Sequence, residues 1–294
     1  MTSSRPCPLC RHTDQRAYRT VGGVEIVRCP RCSLLFRRIL PDDLQAMYDE
    51  TYYRHKGKEE AQWAGSGDYI ADQERLLKSF DEHLADLERF KLPGRLLDVG
   101  CAAGFLLEAA RRRGWSVVGV DISDYAVRYA RETFHLDVRI GSVEQLSLPA
   151  GSFDAITAFE YIEHVVDPVA TLKAVRPWLK PDGLLVLTTP NAGGWQARHQ
   201  PEQFDGFREW RHLAYFSRAT MKRLLQAAGF RLAELRTDQS IVTRQTLSRM
   251  GVAQPERWRA AVNRLAPGVK TVVRRVAGRI CGGSSMKVYA RPRH

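Results

Sequence analysis

The chain has 294 residues, of which 44% are hydrophobic and 27% charged, and its formal net charge at pH 7 is +12. This composition is typical of a globular protein with a sizeable core, and no apolar run approaches the roughly 20 residues that span a bilayer. The polar N-terminus lacks the apolar segment of a secretory signal, so we expect a reducing cytoplasm in which thiols stay free.

The positive charge is concentrated in two segments near the ends of the chain. Residues 1–40 contain eight arginines and two acidic residues, and residues 244–279 contain nine basic residues and one acidic residue. The rest of the chain is close to neutral, so attraction to an anionic partner would come from these two segments.

Four of the six cysteines form two Cys-x-x-Cys pairs. The four are Cys7, Cys10, Cys29 and Cys32. This spacing is typical of a structural zinc site, in which four thiolates leave no coordination position open for catalysis. The sequence between the pairs predicts a β-hairpin that turns at Gly22 and Gly23, so residues 1–40 are predicted to form a zinc ribbon. Two disulfides are an alternative that needs an oxidising compartment, and a redox Cys-x-x-Cys needs a thioredoxin-like context that is absent.

Residues 41–68 contain the aromatic stretch "MYDETYYRHKG". The segment is predicted to be a linker or lid. It could pack the ribbon onto the next domain, border a substrate cleft, or serve only as a linker with some packing tyrosines.

From residue 69 onward, helix and strand patterns alternate. Helices are predicted at 69–90, 105–114, 123–134 and 168–179, from apolar residues three and four positions apart. Short apolar strands are predicted at 95–100, 115–121, 137–141, 153–160 and 183–190. This alternation predicts an α/β fold with a parallel sheet covered on both faces, whose ligand site lies beyond the carboxyl ends of the strands.

The first two strand ends suggest the charge of that ligand. In "DVGCAAG", Gly100 and Gly104 allow the backbone to approach a ligand closely, but Asp98 would repel a pyrophosphate. A carboxylate there favours a ligand with ammonium and sulfonium charges, and Asp121 is placed to accept hydrogen bonds from two ribose hydroxyls. Together these features describe S-adenosylmethionine (SAM), with the adenine near Ser142 and Val143.

These motifs, together with "VVGVDIS", "GSVEQLSLPAGSFDAITAFEYIEHVVDP", "LKPDGLLVLTTPN" and "HLAYFSRATMKRLLQAAGF", resemble the class I SAM-dependent methyltransferases over about residues 70–240. The resemblance implies a Rossmann-like, seven-stranded, mostly parallel sheet with one antiparallel strand, for which "MKVYARP" is the candidate. A zinc ribbon before such a domain resembles bacterial methyltransferases that act on surface polysaccharides and other glycosylated or secondary metabolites.

The predicted cofactor-binding residues lie in these motifs. They are Asp98, Gly100, Cys101, Ala102, Gly104, Asp121, Ile122, Ser142, Val143, Glu144, Phe159 and Glu160. Two of them depart from the family pattern, which usually has glycine at Ala102 and often has aspartate at Ser142. We therefore expect a slightly wider or stiffer loop, and an adenine contact that depends on the backbone at Val143.

The motif "FEYIEH" after the fourth predicted strand resembles that of quinone-pathway O-methyltransferases. One hypothesis makes His164 a general base for an acceptor hydroxyl. A second makes Glu160, Glu163 and His164 ligands of a divalent cation that lowers the pKa of that hydroxyl. A third makes His164 a helix cap and Glu160 part of the cofactor pocket. Glu163 is a further candidate catalytic residue, and His212 is a second candidate base.

Two later segments are candidates for acceptor or partner binding. The aromatic and basic side chains of residues 191–216 could stack on an acceptor or close over the sheet edge; they are Trp195, Phe207, Trp210 and Arg211. Residues 244–280 are predicted to be a basic amphipathic helical insertion. It could contact an anionic membrane surface, hold RNA or a nucleotide-linked acceptor, or pack on the domain.

The sequence therefore predicts a zinc ribbon at 1–40, a linker or lid at 41–68, and a SAM-dependent methyltransferase domain at 69–294. The expected acceptor is a small molecule or a glycan that is methylated on oxygen. A lipid- or nucleotide-linked acceptor is included in this expectation. The expected location is cytoplasmic, with peripheral contact at the inner face of the membrane as a further hypothesis. The alternatives are an RNA methyltransferase, which "FEYIEH" disfavours, and a non-catalytic SAM-binding protein.

Overall fold

The computed structural model describes residues 5–41, 43–54, 68–237, 264 and 283–293. The predicted basic insertion at 244–280 therefore lies outside the described residues, except for Arg264. Residues 55–67 of the predicted linker also lie outside them. Within the described ranges, no helix is both long enough and apolar enough to cross a membrane.

Eleven strands and eight α-helices are found in these ranges. The strands are β1 (Arg16–Val21), β2 (Val24–Arg28), β3 (Leu35–Arg37), β4 (Arg95–Val99), β5 (Ser116–Asp121), β6 (Val138–Ile140), β7 (Phe153–Phe159), β8 (Leu179–Pro190), β9 (Ala214–Tyr215), β10 (Phe230–Thr237) and β11 (Ser285–Pro292). The helices are α1 (Glu50–Tyr53), α2 (Gln73–Glu88), α3 (Phe105–Arg112), α4 (Asp124–Phe134), α5 (Pro168–Val175), α6 (Trp195–His199), α7 (Asp205–Arg208) and α8 (Arg218–Ala227).

The larger sheet confirms the predicted fold. Its seven strands lie in the order β10-β11-β8-β7-β4-β5-β6. The strand pairs from β8 to β6 are all parallel, whereas β11 is antiparallel to both of its neighbours. In β8 the seven consecutive residues from Gly183 to Thr189 are all buried, as expected when helices cover both faces of a sheet. The "MKVYARP" stretch is therefore the antiparallel strand that the resemblance implied.

Some boundaries differ from the predicted ones. Helix α2 begins at Gln73, because Tyr69 lies in the preceding turn with its ring stacked on Phe105. Strand β8 begins at Leu179 rather than at 183, and there it pairs with Phe153. Ser123 caps α4 as predicted, with its hydroxyl accepting a hydrogen bond from the Ala126 amide at 3.3 Å.

The N-terminal cysteine module is not a free appendage. Its hairpin and β3 form a second sheet in the order β1-β2-β3-β9, so the strand β9 from the middle of the chain completes it. Leu34 and Phe36 are fully buried in the same apolar cluster as Phe216 and Met221. The cysteine module therefore shares its core with the larger sheet, and the domain boundary at residue 40 remains a prediction.

The loop from β4 to α3 has an unusual backbone. Gly100, Ala102 and Gly104 have φ angles of 72°, 48° and 81°, in the left-handed region that favours glycine. A Cβ atom at Gly100 would lie 2.4 Å from the Tyr161 ring. The loop thus has a backbone suited to glycine at Ala102, and its greater width or stiffness stays a prediction.

We predict that Ala102→Gly raises the free energy of unfolding by about 0.5–1 kcal/mol. The gain is the steric cost of alanine at positive φ, reduced by the greater backbone freedom of glycine in the unfolded chain. Urea unfolding measures this change. The matched control is Ala103→Gly, because fully buried Ala103 has no positive φ and its replacement should lower stability. Equal losses in both variants would contradict the interpretation.

Candidate active site

A cavity of about 1580 Å³ lies at the carboxyl ends of the parallel strands. This volume exceeds the roughly 300–1,000 Å³ of a pocket for one drug-sized ligand, so two ligands can lie in it side by side. Ten predicted cofactor-binding residues line the cavity: Asp98, Gly100, Cys101, Ala102, Asp121, Ile122, Ser142, Glu144, Phe159 and Glu160. The other two do not line it, since Gly104 is the N-cap of α3 and Val143 is buried in the core.

Asp98 is a buried carboxylate at the end of β4, only 4% exposed. Its Oδ1 accepts a hydrogen bond of 2.6 Å from the Thr157 hydroxyl. Burial, together with the nearby Asp121 carboxylate, raises the pKa of Asp98 to about 7. A cationic group bound beside Asp98 would favour its ionised form, so the residue is suited to a positively charged ligand.

Asp121 lies on the neighbouring strand end, where backbone amides orient its carboxylate. Oδ2 accepts from the Ala102 amide at 2.8 Å, and Oδ1 accepts from the Ser123 amide at 2.9 Å. Burial raises the pKa of this carboxyl also. Each carboxylate oxygen has a second acceptor site, so Asp121 can bind two hydroxyl groups of a ligand.

Of the three predicted catalytic residues, only His164 lines the cavity. Its Nδ1 is 2.8 Å from the hydroxyl of Tyr48, which lines the same cavity. Burial and the nearby His212 ring lower the pKa of His164 well below its usual value, so the ring is neutral and retains one lone pair.

Glu163 and His212 lie behind His164, away from the cavity. Glu163 is buried, with only 1% of its surface exposed. Burial and the nearby Glu160 carboxylate raise the pKa of this carboxyl well above its usual value, which favours its neutral form. His212 donates from Nδ1 to the Gly206 carbonyl at 2.8 Å, while the Glu163 carbonyl accepts from the amides of Leu213 and Ala214. Both residues therefore support His164 from behind rather than face a ligand.

The set of residues predicted to bind a cation is only partly gathered. Ligand atoms of Glu163, His164 and His212 lie within 4.8 Å of one another, and Glu160 is not in that group. His212 Nε2 and Glu163 Oε1 are 3.9 Å apart, wider than the roughly 3.0–3.4 Å between neighbouring ligands on bonds of about 2.1 Å. Glu160 instead lines the cavity, and its amide donates to the Thr188 hydroxyl at 3.0 Å.

Residues 43–54, hereafter the strap, border the cavity. Its tyrosines Tyr48, Tyr52 and Tyr53 all line the cavity. The Tyr48 carbonyl accepts a hydrogen bond of 2.6 Å from the Ser123 hydroxyl, so the strap is tied to the Asp121 loop. The described part of this segment thus borders the cavity, and its role as a linker or lid stays a prediction. Sequence reasoning did not single out Tyr48, since nothing local distinguishes it from the tyrosines around it.

The side chains that could stack on an acceptor or close over the sheet edge lie outside the cavity. None of Trp195, Phe207, Trp210 and Arg211 lines the cavity. Phe207 is fully buried, edge-on to Tyr18 of β1, and packs in an apolar cluster with residues of the smaller sheet. The far side of the cavity is formed by α2, β10 and β11, through residues that include Phe80, His83, Arg236 and Lys287.

The four cysteines of the N-terminal module are gathered as predicted. Cys7 and Cys32 Sγ are 3.5 Å apart, as are Cys10 and Cys29 Sγ. All four sulfurs lie within 4.8 Å of one another, and a tetrahedron with bonds of about 2.3 Å has edges of about 3.8 Å. Arg11 and Ser33, each directly after the second cysteine of its pair, have φ of 60° and 65°. The two turns thus match each other and fit a four-thiolate metal ion.

Relatives in sequence share part of the chain. The ubiquinone biosynthesis O-methyltransferase of Xanthomonas campestris pv. campestris (strain B100) is 44% identical over 110 residues, which cover 35% of this chain and 46% of that protein. The protein of that name from Xanthomonas axonopodis pv. citri (strain 306) is 44% identical over 103 residues, covering 33% and 43%. The chain spans less than half the length of these curated relatives.

Solved structures share the fold over more of the chain. A SAM-dependent methyltransferase from Archaeoglobus fulgidus has a TM-score of 0.54 at 18% identity, covering 79% of this chain and 97% of that one. Another, from Mesorhizobium loti, has a TM-score of 0.51 at 18% identity, covering 73% and 99%. Structural similarity at 18% sequence identity supports a shared fold and nothing more.

The protein-family model described as a methyltransferase domain matches residues 68–235, more than half of the chain. Its match covers the loop after β4, Asp121 and the segment around His164, which together line the cavity. The chain belongs to the methyltransferase-domain family.

Proposed function

We propose that the chain transfers the methyl group of SAM to a hydroxyl oxygen of a small-molecule acceptor. The observation that carries the proposal is the pair of buried carboxylates, Asp98 and Asp121, on adjacent strand ends in one cavity with room for two ligands. The name of the curated relatives, ubiquinone biosynthesis O-methyltransferase, supports oxygen as the acceptor atom and a small molecule as the substrate.

In this proposal each end of SAM meets complementary groups. Asp98 and the backbone at Gly100 hold the cationic amino-acid end, and Asp121 accepts from the ribose hydroxyls. The adenine lies near Ser142, Val143 and Glu144. Cys101, Ala102 and Ile122 form the wall between these ends, and Phe159 and Glu160 lie beside the methyl group.

The reaction needs little more than positioning and removal of one proton. The acceptor oxygen forms a bond to the methyl carbon while the carbon–sulfur bond breaks and its electron pair stays on sulfur. Holding the two reactants in line can supply several kcal/mol of the barrier reduction. The hydroxyl proton ends on His164, the neutral imidazole of the cavity.

The rival functions differ in their acceptors. A glycan acceptor fits the same chemistry and differs only in what occupies the far side of the cavity. An RNA methyltransferase would bind through the basic segments; residues 244–280, which are also the proposed membrane contact, lie outside the described residues except Arg264. A non-catalytic SAM-binding protein would bind the cofactor and transfer nothing.

The function is tested by following tritium from methyl-labelled SAM into a protein-free cell extract that retains lipids and small molecules. We expect the wild-type chain to label an organic-extractable or sugar-containing product. Asp121→Asn should label it at least about tenfold more slowly, since it loses a charge-assisted hydrogen bond to the ribose. Label found only in added RNA would favour the RNA methyltransferase, and no label anywhere would reject the proposal.

SAM affinity should depend on pH through Asp98. Its pKa of about 7 without ligand means that binding a cation below pH 7 must first release a proton. Affinity should therefore fall by up to about tenfold per pH unit as the pH drops from 7 to 5.5. Calorimetry across this range measures it. In the control Asp98→Asn the dependence should be clearly smaller, and parallel curves for the two proteins would contradict the role of Asp98.

We propose further that the four cysteines hold one structural zinc ion, as the thiolate set and its spacing suggest. The residues of the cavity take no part in that site. Zinc here would stabilise the sheet that includes β9 and so the backbone behind His164.

We predict about one zinc per chain by mass spectrometry, falling toward zero in Cys29→Ser. The apparent unfolding temperature should fall by about 10 °C, as expected for a loss of about 3 kcal/mol. Arg31→Ala, an exposed change in the same turn, is the control and should keep its zinc. A second divalent metal per chain, removed together with activity on dialysis, would favour the cation hypothesis over proton transfer to His164.

A further inference from the structure

The contacts of His164 point to a second residue in proton transfer. Building on the proposed function, we propose that the hydroxyl of Tyr48 contacts the acceptor, takes its proton, and passes its own proton to Nδ1 of His164. Tyr48 would be the catalytic residue that touches the substrate, and His164 would act through it. Tyr48 belongs to the strap, outside the residues 68–235 that the family match covers.

The direction of the hydrogen bond follows from the surroundings of His164. The backbone of Arg211 near the ring favours its protonated form, and on that ground we assign the N–H of the neutral ring to Nε2. A neutral ring has only one N–H, and Nδ1, at 2.8 Å from the Tyr48 oxygen, is then the acceptor. The Tyr48 hydroxyl therefore donates to His164.

This arrangement leaves His164 no free lone pair with which to take a proton from an acceptor. Nδ1 is bonded to Tyr48, and Nε2 carries the N–H in the assigned tautomer. Tyr48 lines the cavity, and its hydroxyl oxygen can still accept a hydrogen bond. A proton from the cavity can thus reach His164 through Tyr48 without any rearrangement of side chains.

Tyr48 is held in place at its backbone and at its ring. Its carbonyl accepts from the Ser123 hydroxyl at 2.6 Å. Its ring lies edge-on to Tyr52 and to His164, with centroids 5.2 Å and 6.0 Å away. A hydroxyl positioned in this way can act at a defined point of the cavity.

The step balances in protons and charge. The acceptor oxygen bonds to the methyl carbon, and the electron pair of the carbon–sulfur bond goes to sulfur. The acceptor proton moves to the Tyr48 oxygen as the Tyr48 proton moves to Nδ1 of His164. Tyr48 stays neutral, and the positive charge lost at sulfur is gained by the imidazole. After product release His164 returns the proton through Tyr48 to water.

The test compares two single-hydroxyl deletions, Tyr48→Phe and Tyr125→Phe. The Tyr125 hydroxyl bonds to exposed Arg54 of the strap and does not line the cavity. With SAM prebound, the probe is the cell extract used above, and the rate of tritium transfer is measured. We expect Tyr48→Phe to slow transfer by about 100-fold, the usual contribution of general acid–base catalysis. Its SAM affinity should stay within about twofold of wild type, and Tyr125→Phe should keep the wild-type rate.

A second measurement does not depend on the acceptor. Nitrogen-15 NMR of the His164 ring should show a hydrogen-bonded, unprotonated Nδ1 in wild type, with a changed shift in Tyr48→Phe and not in Tyr125→Phe. Adding His164→Gln to Tyr48→Phe should cost little further rate, because residues that act as a unit are not additive.

The outcomes separate this proposal from the function on which it rests. If wild type transfers label but Tyr48→Phe keeps the full rate, the relay is wrong and the methyltransferase stands. If Tyr48→Phe loses SAM affinity or folding stability along with activity, Tyr48 is a structural residue and the relay is again overturned. If wild type transfers no label, the proposed function fails and takes the relay with it, whatever the NMR signals show.

Discussion

The site depends on two carboxylates that the sheet removes from water. Asp98 and Asp121 end adjacent parallel strands, and Asp98 pairs in register with Gly119, two residues before Asp121. Burying two ionisable acids so close together is unfavourable unless a cation or several hydrogen-bond donors join them. Backbone amides and the Thr157 hydroxyl provide part of that compensation. A ligand that combines a positive charge with ribose hydroxyls provides the rest, and this favours SAM over a nucleotide phosphate.

The cysteine module reaches the same site through the backbone. Strand β3 pairs with β9, and the amides beside and within β9 bond to the carbonyl of Glu163, whose neighbour is His164. The guanidinium of Arg5, at the start of the module, also donates to the Leu213 carbonyl. A metal held by the four cysteines would thus stabilise the wall behind the proton acceptor. On the other side, the strap that follows the module brings Tyr48 against His164.

Patterns that are local in sequence predicted much of this arrangement. The alternating apolar segments, the glycines after β4 and the acids at two strand ends all depend on residues near one another in the chain. Strand β9 has two residues, too short for any periodicity to identify, and its partner lies near residue 35. For Phe207 the sequence left binding and packing open, because no local signal shows that Tyr18 covers it. Two further features likewise depend on contacts between distant segments. One is the position of Tyr48, and the other is that His212, rather than Glu160, lies with Glu163 and His164.

The central claim is that the cavity is a SAM site. Calorimetric titration of the full chain with SAM at neutral pH, with S-adenosylhomocysteine as a competitor, tests it most directly. The account predicts saturable binding of one SAM per chain, displaced by the competitor. Heats no larger than those of dilution, from protein shown to be folded, would contradict it.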